Sequence, residues 1–220
     1  MAKTAIITGG SRGIGKAVAY VLAEDGFIPV INYVKNREMA EKTASETGGI
    51  AFMADVSDSG QVMQMIKEIH DRTGQIDVLV NNAGISVSGL FTDITPQQAQ
   101  RLWDINVQGV FNCTKAVLPH MIHRKYGRII NISSMWGQVG ASCEVHYSAS
   151  KAAVIGFTKA LAKEVGLSGI NVNCIAPGVI DTDMNACYSE DVMQELRDET
   201  PLGRTGKPED IAQAVSFLAS

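Results

Sequence analysis

With 220 residues, 45% of them hydrophobic, the chain is long enough to bury a full core and short enough to be expected as a single domain over residues 1–220. Its 19 Lys and Arg against 23 Asp and Glu, a net charge of -4, lack the basic excess that tracks nucleic acid, so no nucleic-acid partner is expected. Met1 to Thr8 runs straight into a strand, and no stretch approaches the ~20 apolar residues of a membrane span, so a cytoplasmic protein without a membrane partner is expected.

The predicted elements alternate. Short apolar runs at Thr4 to Thr8, Ile28 to Tyr33, Ile50 to Ala54, Asp77 to Val80, Arg128 to Ile132 and Asn171 to Ile175 read as strands, and the amphipathic segments between them as helices. Strands that are apolar throughout are buried on both faces. This predicts an α/β fold, a doubly wound, Rossmann-type parallel sheet with helices on both sides. Right-handed crossovers then gather the carboxyl ends of the strands along one edge, where such sheets bind ligands. Gly9, Asp55, Asn82, Ser134 and Pro177 each follow a predicted strand and fall on that edge. Cys113, Cys143, Cys174 and Cys187 are widely spaced with no CxxC pair, which suits reduced thiols better than a disulfide frame or a zinc site, and no metal is expected.

The first strand runs into Thr8-Gly9-Gly10-Ser11-Arg12-Gly13-Ile14-Gly15, followed by a helix expected to begin near Gly15. Glycines at 9, 13 and 15 permit a sharp turn and let backbone N–H groups and a helix N-terminus approach a pyrophosphate. The spacing is GxxxGxG, and a tight strand-to-helix turn needs glycine in any case, so its place after the first strand carries the assignment. The second strand ends in Asn32-Tyr33-Val34-Lys35-Asn36-Arg37, with no carboxylate to bond a ribose 2′-OH. Arg12 with Lys35 or Arg37 is instead suited to a 2′-phosphate, which favours NADP(H) over NAD and brings Asn32, Tyr33 and Lys35 into the cofactor set. Lys35 and Arg37 also fit a solvated helix start.

Further along, Tyr147 and Lys151 stand four residues apart in Tyr147-Ser148-Ala149-Ser150-Lys151, downstream of Ser134. On a helix this spacing shares one face, so an ammonium lies near a phenol and favours phenolate. An unperturbed tyrosine titrates near ~10, so activation near neutrality needs roughly 4 kcal/mol of added electrostatics, which a lysine and a nicotinamide cation would supply. Hydride arriving at a carbonyl carbon leaves charge on oxygen, and a serine hydroxyl with a tyrosine proton donor answers that need. The constellation reads as a ketone reductase.

Taken together, TGGSRGIG at Thr8 to Gly15, NNAG at Asn81 to Gly84, Asn106, Ser134 in NISS, YSASK at Tyr147 to Lys151 and the PG pair Pro177-Gly178 resemble the short-chain dehydrogenase/reductase family over essentially the whole chain. The resemblance implies that Tyr147 is the general acid, that Ser134 hydrogen-bonds the carbonyl oxygen, that Lys151 holds the nicotinamide ribose and lowers the tyrosine pKa, and that Asn106 anchors a relay water. It also implies that the glycine turn, with Ser11 and Ile14, holds the pyrophosphate. Asp55 and Val56 would meet the adenine, Asn82, Ala83 and Gly84 the adjacent ribose, and Val179-Ile180-Asp181-Thr182 the carboxamide, with Pro177 and Gly178 also in the cofactor set. Asn81 and Asn82 also fit plain turn positions.

Within that family the chain resembles bacterial 3-oxoacyl-[acyl-carrier-protein] reductases, which implies a carrier-bound 3-oxoacyl thioester as substrate. The arginine pair that such enzymes use to dock the carrier is replaced by Lys125 and Ser168. Trp136, with Met135, Cys143, Glu144, Met184 and Met193, is expected at the pocket mouth, and the segment around Trp136 also resembles a reductase of an amino-ketone on a lysine of a translation elongation factor. A small-molecule ketone such as a steroid, or a non-catalytic NADP-sensing module, are the other readings. Small residues Ala149, Ala153 and Gly156 on the Tyr147 helix suit contact with a second copy, and the resemblance implies a homotetramer. Relatives continue beyond Ser220 with a final edge strand. The expectation is therefore an incomplete chain, or else a dimer whose sheet ends on a bare edge.

Overall fold

The computed structural model describes residues 2–185 and 189–220, so Cys187 lies outside the described residues. Six strands form one sheet: β1 (Lys3–Ile7), β2 (Phe27–Tyr33), β3 (Ile50–Met53), β4 (Val78–Asn81), β5 (Gly127–Ile132) and β6 (Ile170–Ile175). Their order is β3-β2-β1-β4-β5-β6, and every pair is parallel. The order reverses direction between β1 and β4, and that switch point is where a crevice opens in such sheets. Each predicted strand matches an observed one to within one residue at either end.

The pleat sorts the strand residues into two cores. Ala5, Ile7, Ile31, Val78, Val80 and Ile130 pack with Val18 and Leu22 of α1 (Gly13–Glu24), Ala40 and Ala44 of α2 (Arg37–Thr47) and a C-terminal helix (Pro208–Ala219). Ile6, Val30, Leu79 and Ile129 face the other way, against α3 (Ser59–Thr73) and two further helices, Gly109–Arg124 and Val145–Val165. This two-sided burial is why the strands lack polar alternation. The expected doubly wound, Rossmann-type arrangement is what forms.

In chain order the remaining helices are α4 (Pro96–Trp103), α5 (Gly109–Arg124), the single turn α6 (Trp136–Val139), α7 (Val145–Val165), α8 (Glu190–Glu199) and α9 (Pro208–Ala219). Thr95 and Gln98 form a capping box at the start of α4, with Pro96 in the first turn. A π-helical turn at Asp104–Gln108 joins α4 to α5. Beneath the ligand edge, Asn81 Nδ2 donates to Asn131 Oδ1 at 2.8 Å across the β4–β5 register, and Asn131 Nδ2 donates to Thr158 Oγ1 at 2.9 Å. The paired amide N–H groups tie two strands and α7 together, because a buried donor left unpaired would cost ~1–3 kcal/mol, and among these atoms Asn81 Oδ1 is the one without a partner. Among the described residues no helix is long and apolar enough to cross a membrane.

Candidate active site

A cleft of about 930 Å³ opens along the carboxyl edge of the sheet. It is lined by Gly9, Ser11, Arg12, Gly13 and Ile14 from the first turn, by Asn32, Tyr33 and Lys35 after β2, and by Asp55 and Val56 after β3. Asn82, Ala83 and Gly84 follow from β4, Ser134 and Trp136 from β5, Tyr147 and Lys151 from α7, and Pro177, Gly178, Ile180, Thr182 and Met184 from the segment after β6. Of the residues expected to carry catalysis or to touch the cofactor, Gly15 and Asn106 are absent from this wall.

The first turn is shaped by glycine where side chains do not fit. Gly9 and Gly13 have φ of 63° and 52°, the left-handed region that costs a Cβ-bearing residue. Gly13 already opens α1, two residues earlier than the sequence suggests, because its left-handed φ makes the entry turn. A Cβ on Gly15 would run into the Gly9 carbonyl oxygen and the Asn82 amide, so this glycine permits the turn to pack closely on Asn82. Asn82 Nδ2 donates to the carbonyl oxygens of Thr8 and Gly9 at 2.9 and 3.2 Å, while Thr8 Oγ1 accepts from the N–H groups of Asn82 and Ala83. Asn32 likewise accepts from the Gly9 N–H and donates to the Ala54 carbonyl at 2.8 Å. Both asparagine side chains hold the turn in shape.

At the adenosine end, Lys35 is exposed on the wall, whereas Arg37 is turned to Glu41 at 2.7 Å along α2 and does not line the cleft. Arg12 lies 3.4 Å from Asp183, an exposed pairing that the sequence did not suggest. Arg101 of α4 also escaped sequence reasoning. It lines the cleft and donates to Asp55 Oδ2 and Ser57 Oγ, both at 2.7 Å. Burial opposes ionisation of Asp55, but hydrogen bonds from Ser57 and Arg101 outweigh it and hold the carboxyl below its usual range. The capping box announced α4, but nothing local marks a contact 46 residues away.

At the other end, α7 carries Tyr147 and Lys151 on one buried face, 8% and 5% exposed. Lys151 Nζ donates to the Ile132 carbonyl oxygen at 2.8 Å, and burial lowers its pKa to about 8, with a small opposing contribution from Cys174. Trp136 meets Tyr147 edge-on, centroids 6.2 Å apart at 83°. It is half-buried and part of the wall, and so not a core filler. Ser134 Oγ accepts from the Trp136 N–H at 3.2 Å, while the neighbouring Ser133 donates to the Lys151 carbonyl at 2.8 Å and ties β5 to α7.

Asn106 sits in the π turn. Its side chain pairs with both backbone groups of Ile85 at 2.9 Å, and its amide also donates to Ser150, whose hydroxyl bonds the Tyr147 carbonyl. Of the expected mouth residues, Met135, Trp136, Glu144 and Met184 line the cleft; Cys143 and Met193 do not, and Leu196 does. Lys125 and Ser168 also lie off the cleft wall. Burial pushes the Cys113 thiol up to about 12, which fits a packing role.

Residues 3–193 match the family model described as short chain dehydrogenase. The chain is similar at 42% identity to a 3-oxoacyl-[acyl-carrier-protein] reductase of Staphylococcus aureus, covering all of this chain and 92% of that protein. It is 45% identical to an acetoacetyl-CoA reductase of Paracoccus denitrificans and 44% identical to a 3-oxoacyl-[acyl-carrier-protein] reductase of Synechocystis sp., again over all of this chain and 91% and 90% of theirs. With the parallel sheet, the glycine turn and the serine, tyrosine and lysine gathered at one cleft, these likenesses establish that the chain belongs to the short-chain dehydrogenase family, oxidoreductases that work on alcohol and ketone with a nicotinamide cofactor.

Proposed function

We propose that the protein is an NADPH-dependent reductase of a ketone to a secondary alcohol, with a 3-oxoacyl thioester as the substrate class. The observation that carries it is the joint placement of Ser134, Tyr147 and Lys151 on the wall of the cleft that also holds the glycine turn. Relatives named for 3-oxoacyl and acetoacetyl thioesters supply the substrate class. The wall fits a dinucleotide, because Gly9 and Gly13 keep Cβ atoms out of the turn and the start of α1 faces the place for the pyrophosphate. Lys35 and Arg12, with no carboxylate at the end of β2, favour the 2′-phosphorylated form.

In this reading a bound NADPH supplies the hydride. Ser134 donates a hydrogen bond to the carbonyl oxygen as charge grows there, and Tyr147 gives that oxygen its proton, leaving phenolate that solvent reprotonates. Lys151, as ammonium, lowers the cost of the phenolate and would hold the nicotinamide ribose. Asn106 acts one layer back, where its bonds to Ile85 and Ser150 fix the segment after β4 against α7. The test is NADPH oxidation with acetoacetyl thioesters. Turnover with NADPH that Tyr147→Phe abolishes supports the reading, and no oxidation of NADPH by any 3-oxoacyl thioester would overturn it.

A further inference from the structure

One charged group on the cleft wall has no role in the chemistry above. Glu144 is 3% exposed yet lines the cleft, one turn before Tyr147, at the start of α7. Its two carboxylate oxygens each accept from a serine hydroxyl, Ser86 and Ser88, on the segment after β4. The carboxylate does not cap the helix, since the Ser148 N–H makes the first helical bond to the Glu144 main-chain oxygen. Three cations of the wall are engaged elsewhere, Arg12 with Asp183, Arg101 with Asp55 and Lys151 with the Ile132 carbonyl, and the fourth, Lys35, stands at the adenosine end after β2. Among the described residues, no ion pair includes Glu144.

A carboxylate is acceptor-only, with about four lone-pair directions, and the serines take two of them. Hydroxyl donors and the helix start soften the cost of burying the charge but do not neutralise it. A neutral N–H from a ligand would leave that charge standing, whereas a cation would cancel it in a low-dielectric pocket. A tie between residues 86–88 and α7 alone needs no charge, since a glutamine amide would serve.

We propose that Glu144 determines substrate specificity by binding a protonated amine carried by the ketone. This rests on the ketone-reductase reading and narrows it, because a plain 3-oxoacyl thioester offers this carboxylate no cation. The test compares two β-keto esters of nearly equal shape, 2-(dimethylamino)ethyl acetoacetate, protonated at neutral pH, and 3-methylbutyl acetoacetate, which is neutral. The parent protein is expected to favour the first by about ten-fold or more in kcat/KM, the scale of a charge-assisted hydrogen bond. In Glu144→Gln that ratio is expected to collapse toward one. Turnover of both esters by the parent without such a preference, or a preference that survives Glu144→Gln, would overturn the inference alone. If neither ester oxidises NADPH while an acetoacetyl thioester does, the inference falls alone; if the thioester fails as well, the ketone-reductase reading falls beneath it. The parent's own ratio decides the matter even if the variant folds poorly.

Discussion

Lys151 Nζ lies 5.6 Å from the centroid of the Tyr147 ring while donating to the Ile132 carbonyl oxygen at 2.8 Å. The ammonium is thus held by β5, so its field acts on Tyr147 from a position the strand sets. Burial of the ammonium has a cost, seen in its pKa of about 8. The cation that favours phenolate is itself under pressure to lose its proton.

Tyr147→Phe keeps the edge-on contact with Trp136 and deletes only the hydroxyl. The expected result is a fall in kcat of about 10²–10⁴, the range for general acid catalysis, with NADPH binding retained. Steady-state kinetics alongside fluorescence titration of NADPH checks both halves. Rates within two-fold of the parent would remove Tyr147 from the proposed role.

Replacing Lys151 by Met should lower kcat and raise KM for NADPH together, since one ammonium is proposed to serve phenol and ribose. The stability effect has the opposite sign. The folded pKa of about 8 lies below the ordinary 10.5, so between these values the unfolded chain binds more protons. The burial cost is fully present below about pH 8 and is relieved as pH rises toward 10.5. Allowing for the lost bond to Ile132, Lys151→Met should therefore stabilise the protein by about 2 kcal/mol at pH 7, with the gain shrinking by pH 10. Urea unfolding at the two pH values measures it, and a gain that grows with pH would contradict the sign.

Arg12 is expected to exchange Asp183 for the 2′-phosphate when NADPH binds. Their exposed pair is worth at most ~1 kcal/mol, less than a charge-assisted phosphate contact of ~1.5–3 kcal/mol. Arg12→Ala should erode the preference for NADPH over NADH by about ten-fold or more, and Asp183→Asn should lower KM for NADPH by a few-fold at most. Equal use of NADH by the parent protein would show that the end of β2 does not select the cofactor.

The strands were legible in the sequence because their signal is local: an apolar run such as Val78 to Val80 declares burial on both faces by itself. The cleft followed from them, since Gly9, Asp55, Asn82, Ser134 and Pro177 sit at strand ends and parallel topology brings strand ends together. What stayed hidden depends on partners far along the chain. Asn82 proves to hold the first turn across 74 residues, and Arg12 meets Asp183 across 171. Arg37 reads as a phosphate ligand until α2 is drawn and Glu41 falls beside it. Neither the π turn that sets Asn106 behind Ile85 nor the pairing of Glu144 with Ser86 and Ser88 has a periodic signature.

Assembly can be tested on the outer face of α7. Ala149 and Gly156 are exposed there, Ala153 is half-buried, and beside them Phe157 packs on Phe111 of α5 with centroids 4.7 Å apart. No atom lies within 4 Å of a Cβ built on Gly156, so within one chain a larger residue fits. Gly156→Arg should even strengthen the isolated helix by up to about 1 kcal/mol, because glycine is a poor helix former. If two copies pack through this face, small residues allow the helices close approach, and a charged arginine at their contact blocks it. The expected outcome is an oligomer for the parent protein by light scattering and a smaller species for Gly156→Arg, with circular dichroism unchanged. An assembly state identical in both proteins would move the interface away from α7, and a monomeric parent would remove it.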